Sequence, residues 1–222
     1  MNGPALNVDN DKSKNGKNCA KILLRNVLRD REKCSGSSDE ENPRRCIVDL
    51  KMWPEDWKAK LWSARMIALY MPIRDELSLE PLIDELQGRV RFCFPKVEGE
   101  DISFYEASES SDFVSGSYSI LEPRENLRKV APEEIDVILI PATAYGCDGT
   151  RLGRGKGYYD RFCSTFSNIC GTIKQKSRIG VVPHECFMGR IPCDPWDLKV
   201  DAVLTDKVFQ VLPVLEKEIE ER

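Results

Sequence analysis

The sequence predicts an α/β fold, a three-layer, doubly wound and mostly parallel sheet with helices on both faces. Two observations lead there. Asp136–Pro141, Arg178–Val182 and Asp201–Leu204 are short apolar runs of the kind that form buried strands. Segments with helical spacing of apolar side chains alternate with such runs, the order expected of crossover units packed on a parallel sheet.

The elements follow in order. Residues 18–33 read as a first helix capped by Asn18, with Ile22, Leu23, Val27 and Leu28 sharing a buried stripe. Lys21, Arg25 and Arg29 recur every four residues and line one face, which by itself reads as solvated and cationic. Trp53-Pro-Glu-Asp-Trp57 opens a short helix with proline near its first turn, leading into a buried strand over Ala64–Tyr70. Ser78 to Leu86 is amphipathic, with Leu79, Leu82, Ile83 and Leu86 inward and Gly88 as its C-terminal cap. Val90, Phe92 and Phe94 alternate as a strand, Ile102, Phe104 and Tyr105 form another, and the Ser-rich stretch 108–117 is expected to be a loop. After the strand at 136–141 come a glycine-rich loop and a helix starting near Tyr158, and Val208 to Glu220 reads as a terminal helix. Residues 1–17 are expected as a disordered tail, with one domain over 18–222 and a polar insertion around 34–45.

Composition narrows the function classes. The chain has 222 residues, 41% hydrophobic and 32% charged, enough for one domain with a sizeable core. A net charge of −4 argues against binding nucleic acid through its phosphates, so any anion site must be a local cluster of cations. No apolar run approaches the roughly 18 residues of a membrane span. Nine cysteines without a C-x-x-C pair, a lone histidine at His184 and no signal peptide point to reduced thiols in the cytoplasm rather than zinc or disulfides. Cys93 reads as a small core hydrophobe and His184 as a partly buried structural residue.

The cation cluster is Arg151-Leu-Gly-Arg-Gly-Lys-Gly-Tyr-Tyr-Asp160. Gly153, Gly155 and Gly157 alternate with Arg154 and Lys156, so backbone can approach a bulky anion while guanidinium and ammonium groups add charge. Joining a strand to a helix, the loop brings free N–H groups and a positive helix end together at the carboxyl edge of the sheet. It is neither a Walker A loop, because Gly157 follows Lys156, nor a dinucleotide fingerprint, because Tyr158 stands where glycine is needed. Asp160 could cap the helix, pair with Arg161 or hold magnesium beside phosphates. Tyr158 and Tyr159 could be core aromatics or a wall for a planar ligand.

At these residues the chain resembles the 5-formyltetrahydrofolate cyclo-ligases, also called 5,10-methenyltetrahydrofolate synthetases. RLGRGKGYYDR over 151–161 is similar to the family signature. So, in order, are Lys21-Ile-Leu-Leu-Arg25, Ala68–Glu76, Arg91–Val97, Ile120-Leu-Glu-Pro123 and Ile191–Asp201. The resemblance implies ATP-dependent cyclisation of 5-formyltetrahydrofolate to 5,10-methenyltetrahydrofolate with release of ADP and phosphate. The formyl oxygen would take the γ-phosphoryl group, after which N10 closes the ring and phosphate departs. It implies Arg154 and Lys156 as catalytic, and an ATP site of Lys21, Arg25, Arg151, Leu152, Gly153, Arg154, Gly155, Lys156, Gly157, Tyr158 and Tyr159. It also implies folate contacts at Met71, Glu76, Tyr118, Arg154 and Tyr158, and Mg²⁺ at Asp160 and Asp197. The partners implied are small molecules only, acting on a cytoplasmic monomer. The chain departs from the family pattern at Ala142, Gly146, Cys186 and Trp196. Gly146 and Cys186 are the basis for a second reading, a non-catalytic folate or nucleotide binder on the same fold.

Overall fold

The structure, a computed structural model, describes residues 18–29, 49–73, 76–116, 120–167, 176–194 and 197–213, the side chains of 165–167 excepted. The expected tail at 1–17 and the insertion at 34–45 lie outside the described residues.

Helix α1 runs over 18–29. A 3₁₀ turn at Leu50–Met52 leads to α2 (Glu55–Trp62), β1 (Met66–Ala68) and α3 (Glu80–Leu86). Strands β2 (Arg91–Glu98), β3 (Asp101–Glu106), β4 (Phe113–Ser115), β5 (Leu121–Pro123) and β6 (Lys129–Val130) follow. The second half holds β7 (Val137–Pro141), β8 (Ala144–Gly146), β9 (Arg151–Leu152), α4 (Tyr158–Ser167), β10 (Ser177–Val181), β11 (Phe187–Met188), β12 (Ala202–Leu204) and β13 (Phe209–Val211).

The main sheet has the order β13-β12-β10-β7-β1-β2-β3-β6. From β12 to β2 all neighbours are parallel, and β13, β3 and β6 add antiparallel edges. From β1 the chain moves to one side through β2, then to the other through β7, β10 and β12. The strand order therefore reverses between β1 and β7, the point at which sheets of this kind leave a crevice beyond the carboxyl ends of their strands.

Side chains of alternate residues on β1 feed two separate cores, which makes the strand read as one apolar run. Ile67 packs with Trp57 and Leu61 of α2 and with Leu82 and Leu86 of α3. Met66 and Ala68 face the opposite layer, with Phe104, Tyr145 and the α4 residues Phe162 and Cys163. Helices thus cover both faces, as expected. Val90, Phe92 and Phe94 share one face of the β2 segment as expected, and Cys93 between the two phenylalanines is fully buried on the other face, so both sides of the strand are covered.

Three other expectations are corrected. The Ser-rich stretch is not only a loop, because Ser110–Asp112 forms a 3₁₀ turn and Phe113–Ser115 pairs with β5. There the Phe113 ring meets Phe94 edge-on at 5.0 Å, and the Asp112 carboxylate accepts the Ser108 and Glu109 N–H groups. The terminal helix expected from Val208 begins instead as strand β13, with the remainder from 214 outside the described residues. Pairing to the open edge of β12 satisfies its backbone, and Phe209 drops between Trp53 and Trp57 at 4.5 and 5.2 Å. In α1 the stripe is different from the expected one. Leu28 is buried, but Ile22, Leu23 and Val27 are 48%, 65% and 43% exposed.

Candidate active site

The inward face of α1 is the side that carries its cations. Leu24 and Leu28 pack against Ala144, Leu152 and Ile191, so Lys21 and Arg25, on the same face, are drawn over the small sheet β11-β8-β9. The solvated cationic face expected for Lys21 and Arg25 is therefore overturned, while Arg29 remains exposed. Polar partners make the burial tolerable. Lys21 Nζ lies 2.6 Å from Asp194 Oδ2 and 2.5 Å from Asp197 Oδ2, and the residue is only 7% exposed. Burial lowers the Lys21 pKa, but the hydrogen bonds to both carboxylates outweigh it and hold the value above the usual one. Arg25 Nε donates to the Gly153 carbonyl at 2.8 Å, tying the helix to the glycine loop.

The loop does not follow β7 directly. A hairpin of β8 and β9 intervenes, paired through Ala144–Leu152 and Tyr145–Arg151, and the open loop is confined to 153–157. Strands of two or three residues carry no hydrophobic period, so sequence patterning has no signal for them. Gly146 sits where the family often carries aspartate. Here a Cβ would stand 2.8 Å from Asp148 Oδ1, and that carboxylate instead accepts from Thr150 and Lys199 to brace the turn.

Arg151 is buried in the frame of the site. Its Nε and Nη2 donate to the Pro141 carbonyl at 3.2 and 3.1 Å, and Nη1 reaches Asp160 Oδ2 at 3.2 Å. The guanidinium also lies 5.2 Å from the Tyr159 ring centroid. One side chain therefore joins the end of β7 to the first turn of α4. Asp160 pairs with this arginine rather than with Arg161, which instead holds Asp101 at 2.9 Å and the carbonyls of Glu100 and Lys156.

Within the loop, Gly155 and Gly157 have φ of 99° and 71°, a region that side chains with a Cβ rarely occupy. The N–H groups of Gly155, Lys156 and Gly157 make no backbone hydrogen bond among the described residues. Together with the first turn of α4 they form a set of donors without backbone partners. Lys156 is exposed, and its ammonium makes no ion pair among the described residues. Arg154 reaches across the crevice to Glu76, Nη2 to Oε1 at 3.5 Å.

Glu76 belongs to the turn after β1, where its Oε2 also accepts the Ile73 N–H at 3.2 Å. Burial raises the Tyr159 phenol well above its ordinary range and the nearby Glu76 carboxylate adds to it; Tyr70 is raised for the same reasons. Met71 is half-buried and packs on the core layer of α2 and α3. Tyr158 and Tyr159 are half-buried against the other layer, which favours the core-aromatic reading for one side of each ring. Tyr118 and Trp196 lie outside the described residues.

The structure thus brings Lys21, Arg25, Arg151, Asp160 and Asp197 together beside the loop, and sets Arg154 against Glu76. Asp194 was not singled out by the sequence. Its backbone N–H donates to Asp197 Oδ2 at 2.6 Å, and the Asp197 N–H returns to the Asp194 carbonyl at 3.0 Å. That turn is a feature of geometry, and no spacing rule marks it. His184 is half-buried, with its N–H on Asp206 Oδ1 at 2.7 Å and Nδ1 3.5 Å from the Thr205 hydroxyl, a structural role as expected.

Among the described residues no group of His, Cys, Asp and Glu forms a complete metal cage, and no helix is long and apolar enough to cross a membrane. The profile of the 5-formyltetrahydrofolate cyclo-ligase family matches residues 23–206. The 5-formyltetrahydrofolate cyclo-ligase of Mycolicibacterium smegmatis is 31% identical over 152 residues, 65% of this chain and 75% of its own. That of Escherichia coli is 28% identical over 154 residues, 66% and 81% of the two chains. The solution structure of Aquifex aeolicus 5,10-methenyltetrahydrofolate synthetase superposes with a TM-score of 0.62 at 31% identity, covering 91% of this chain and 99% of that one.

Proposed function

The chain belongs to the 5-formyltetrahydrofolate cyclo-ligase family, and we propose that its chemistry takes place in the crevice between the glycine loop, α1 and the turn after β1. The enzyme converts 5-formyltetrahydrofolate to 5,10-methenyltetrahydrofolate at the expense of ATP. The observation that carries the siting is the 2.8 Å bond from Arg25 to the Gly153 carbonyl, which lays the cations of α1 beside the loop and its N–H groups.

The steps follow from what these groups can do. Triphosphate oxygens accept from the N–H groups of 155–157 and of the first turn of α4, with Lys21 and Arg25 supplying charge from the side. Arg151, already engaged by Pro141 and Asp160, holds the loop in place from beneath. Met71, Glu76 and Tyr158 are the described residues assigned to the folate, with Tyr118 assigned from the resemblance alone. The Arg154–Glu76 contact brings the folate turn against the phosphate loop, the adjacency that transfer to the formyl oxygen requires. Lys156 and Arg154 stabilise the charge that develops on the migrating phosphoryl group, and N10 then closes the ring as phosphate leaves.

Asp160 and Asp197 fit Mg²⁺ as a sparse pair of hard oxygen donors, because that ion is commonly held by one or two carboxylates together with substrate phosphates. The two lie close together, since the Leu198 N–H next to Asp197 points at Asp160 Oδ1 from 3.5 Å. When bound, the ion would neutralise phosphate charge and align the γ-phosphoryl group. The protein is read as a monomer acting on small molecules. The free thiols of Cys19, Cys93, Cys147, Cys163, Cys186 and Cys193 suit a reducing cytoplasm.

The test is the absorbance of the methenyl product, followed with purified protein, 5-formyltetrahydrofolate and Mg²⁺, with and without ATP. Product is expected only with ATP. No product at high enzyme concentration would refute catalysis, and folate binding without ATP consumption would mark a binding protein instead.

A further inference from the structure

We propose that Asp194 is a positioning residue that keeps the Lys21 ammonium aimed at the nucleotide phosphates. This rests on the reading of Lys21 as a phosphate ligand.

The geometry gives Lys21 a divided attachment. Its ammonium has three donors. One goes to Asp194 Oδ2 at 2.6 Å and one to Asp197 Oδ2 at 2.5 Å. That leaves a single donor for a third oxygen. The side chains of Lys21, Asp194 and Asp197 are 9%, 13% and 15% exposed, so little water shares the arrangement. The Asp194 N–H holds the Asp197 carboxylate and the Asp197 N–H returns to the Asp194 backbone carbonyl, so the two residues are fixed in one turn.

The two acids are not equivalent. Asp197 stands beside Leu198, whose N–H points at Asp160, so it is the one placed to share a divalent cation with Asp160. The Asp194 carboxylate is given to Lys21, and that contact survives when Asp197 is drawn towards metal and phosphate. Lys21 then has two donors for phosphate oxygens and one anchored partner. Charge argues the same way. Lys21, Arg25 and Arg151 are matched at rest by Asp160, Asp194 and Asp197, so these three cations add little net attraction to a polyphosphate until a divalent cation joins the carboxylates. A lone lysine on a flexible stem would lose orientation on that exchange, and the Asp194 carboxylate prevents it.

The experiment measures binding of Mg²⁺ with a non-hydrolysable ATP analogue by calorimetry, in wild type, Lys21→Ala, Asp194→Asn, Asp194→Glu and the Lys21→Ala/Asp194→Asn double variant. Asp194→Asn should weaken nucleotide binding about tenfold, the scale of one charged contact. Folate affinity and the thermal midpoint should stay near wild type, and Asp194→Glu should recover part of the loss. The double variant should bind no more weakly than Lys21→Ala alone. If Lys21→Ala weakens binding while Asp194→Asn does not, or if the two losses add, Asp194 does not act through Lys21. If Asp194→Asn lowers folate affinity and the thermal midpoint as much as nucleotide affinity, its role is structural. If Lys21→Ala binds nucleotide like wild type, the phosphate reading of Lys21 fails first and this proposal falls with it.

Discussion

Gly153 leaves open the space that the Arg151 guanidinium fills, since a Cβ at that residue would stand 2.5 Å from Arg151 Nη1. An arginine tip can usually swing aside, but this one is fixed by the Pro141 carbonyl and the Asp160 carboxylate. Gly153→Ala should therefore dislodge Arg151 from both partners and destabilise the fold by about 1–3 kcal/mol. Activity should fall more than stability explains, because the loop and the first turn of α4 lose their common brace. Denaturant titration beside steady-state kinetics checks both.

Lys156 is exposed and contributes nothing visible to the core. Lys156→Ala is expected to leave the thermal midpoint unchanged and to lower kcat by roughly 10²–10³-fold, the size of removing one group that stabilises transition-state charge. Wild-type turnover in this variant would remove the loop's ammonium from the chemistry.

Beneath the site, Gly180 of β10 makes room for a fully buried ring. A Cβ there would lie 2.5–2.7 Å from three ring atoms of Tyr145, whose hydroxyl donates to the Ile140 carbonyl at 2.9 Å. A ring held on both sides cannot yield as an arginine tip can. Gly180→Ala should cost about 1–3 kcal/mol and lower the melting temperature by roughly 3–10 °C. Calorimetry on the purified variant measures it.

Far from the crevice, Glu98 gives a pH dependence with a definite sign. The Lys129 ammonium, then the Tyr105 and Ser103 hydroxyls, hold its carboxyl down to about 2. A depressed folded-state pKa means that its stabilisation is fully present above the ordinary carboxylate value near ~4.3 and disappears as pH falls through about 2. With 36% of the side chain in water, the gap between wild type and Glu98→Gln should be under about 1 kcal/mol at neutral pH. It should close between those two values. Urea midpoints of both proteins across that range test the sign.

Much of this could be read in advance because periodicity and turn chemistry speak for buried strands and glycine loops. Ile67, Leu139 and Ile179 sit in the core as an apolar run predicts, and Gly155 and Gly157 take the positive φ their spacing suggests. What escaped is where another force outranked the apolar pattern. In α1 the side bearing Lys21 and Arg25 turns inward because two carboxylates and a carbonyl receive it, leaving Leu23 in water. At Phe209 the open edge of β12 overrode a helical pattern. Asp194 was invisible because its role depends on a lysine 173 residues away.

That separation also sets a timetable. Lys21 is synthesised well before its partners, and Asp194 and Asp197 arrive 173 and 176 residues later. At about 5–20 residues per second the wait is roughly ten to thirty-five seconds. A helix as short as 18–29 is marginal on its own, and with Leu23 turned outward it has little apolar surface to draw it onto the sheet sooner. The ribosome thus delivers α1 ahead of its partners, and the chain can pair its lysine only after Asp197 has emerged. Competence to hold phosphate is acquired late in synthesis, once both ends of the site have been made.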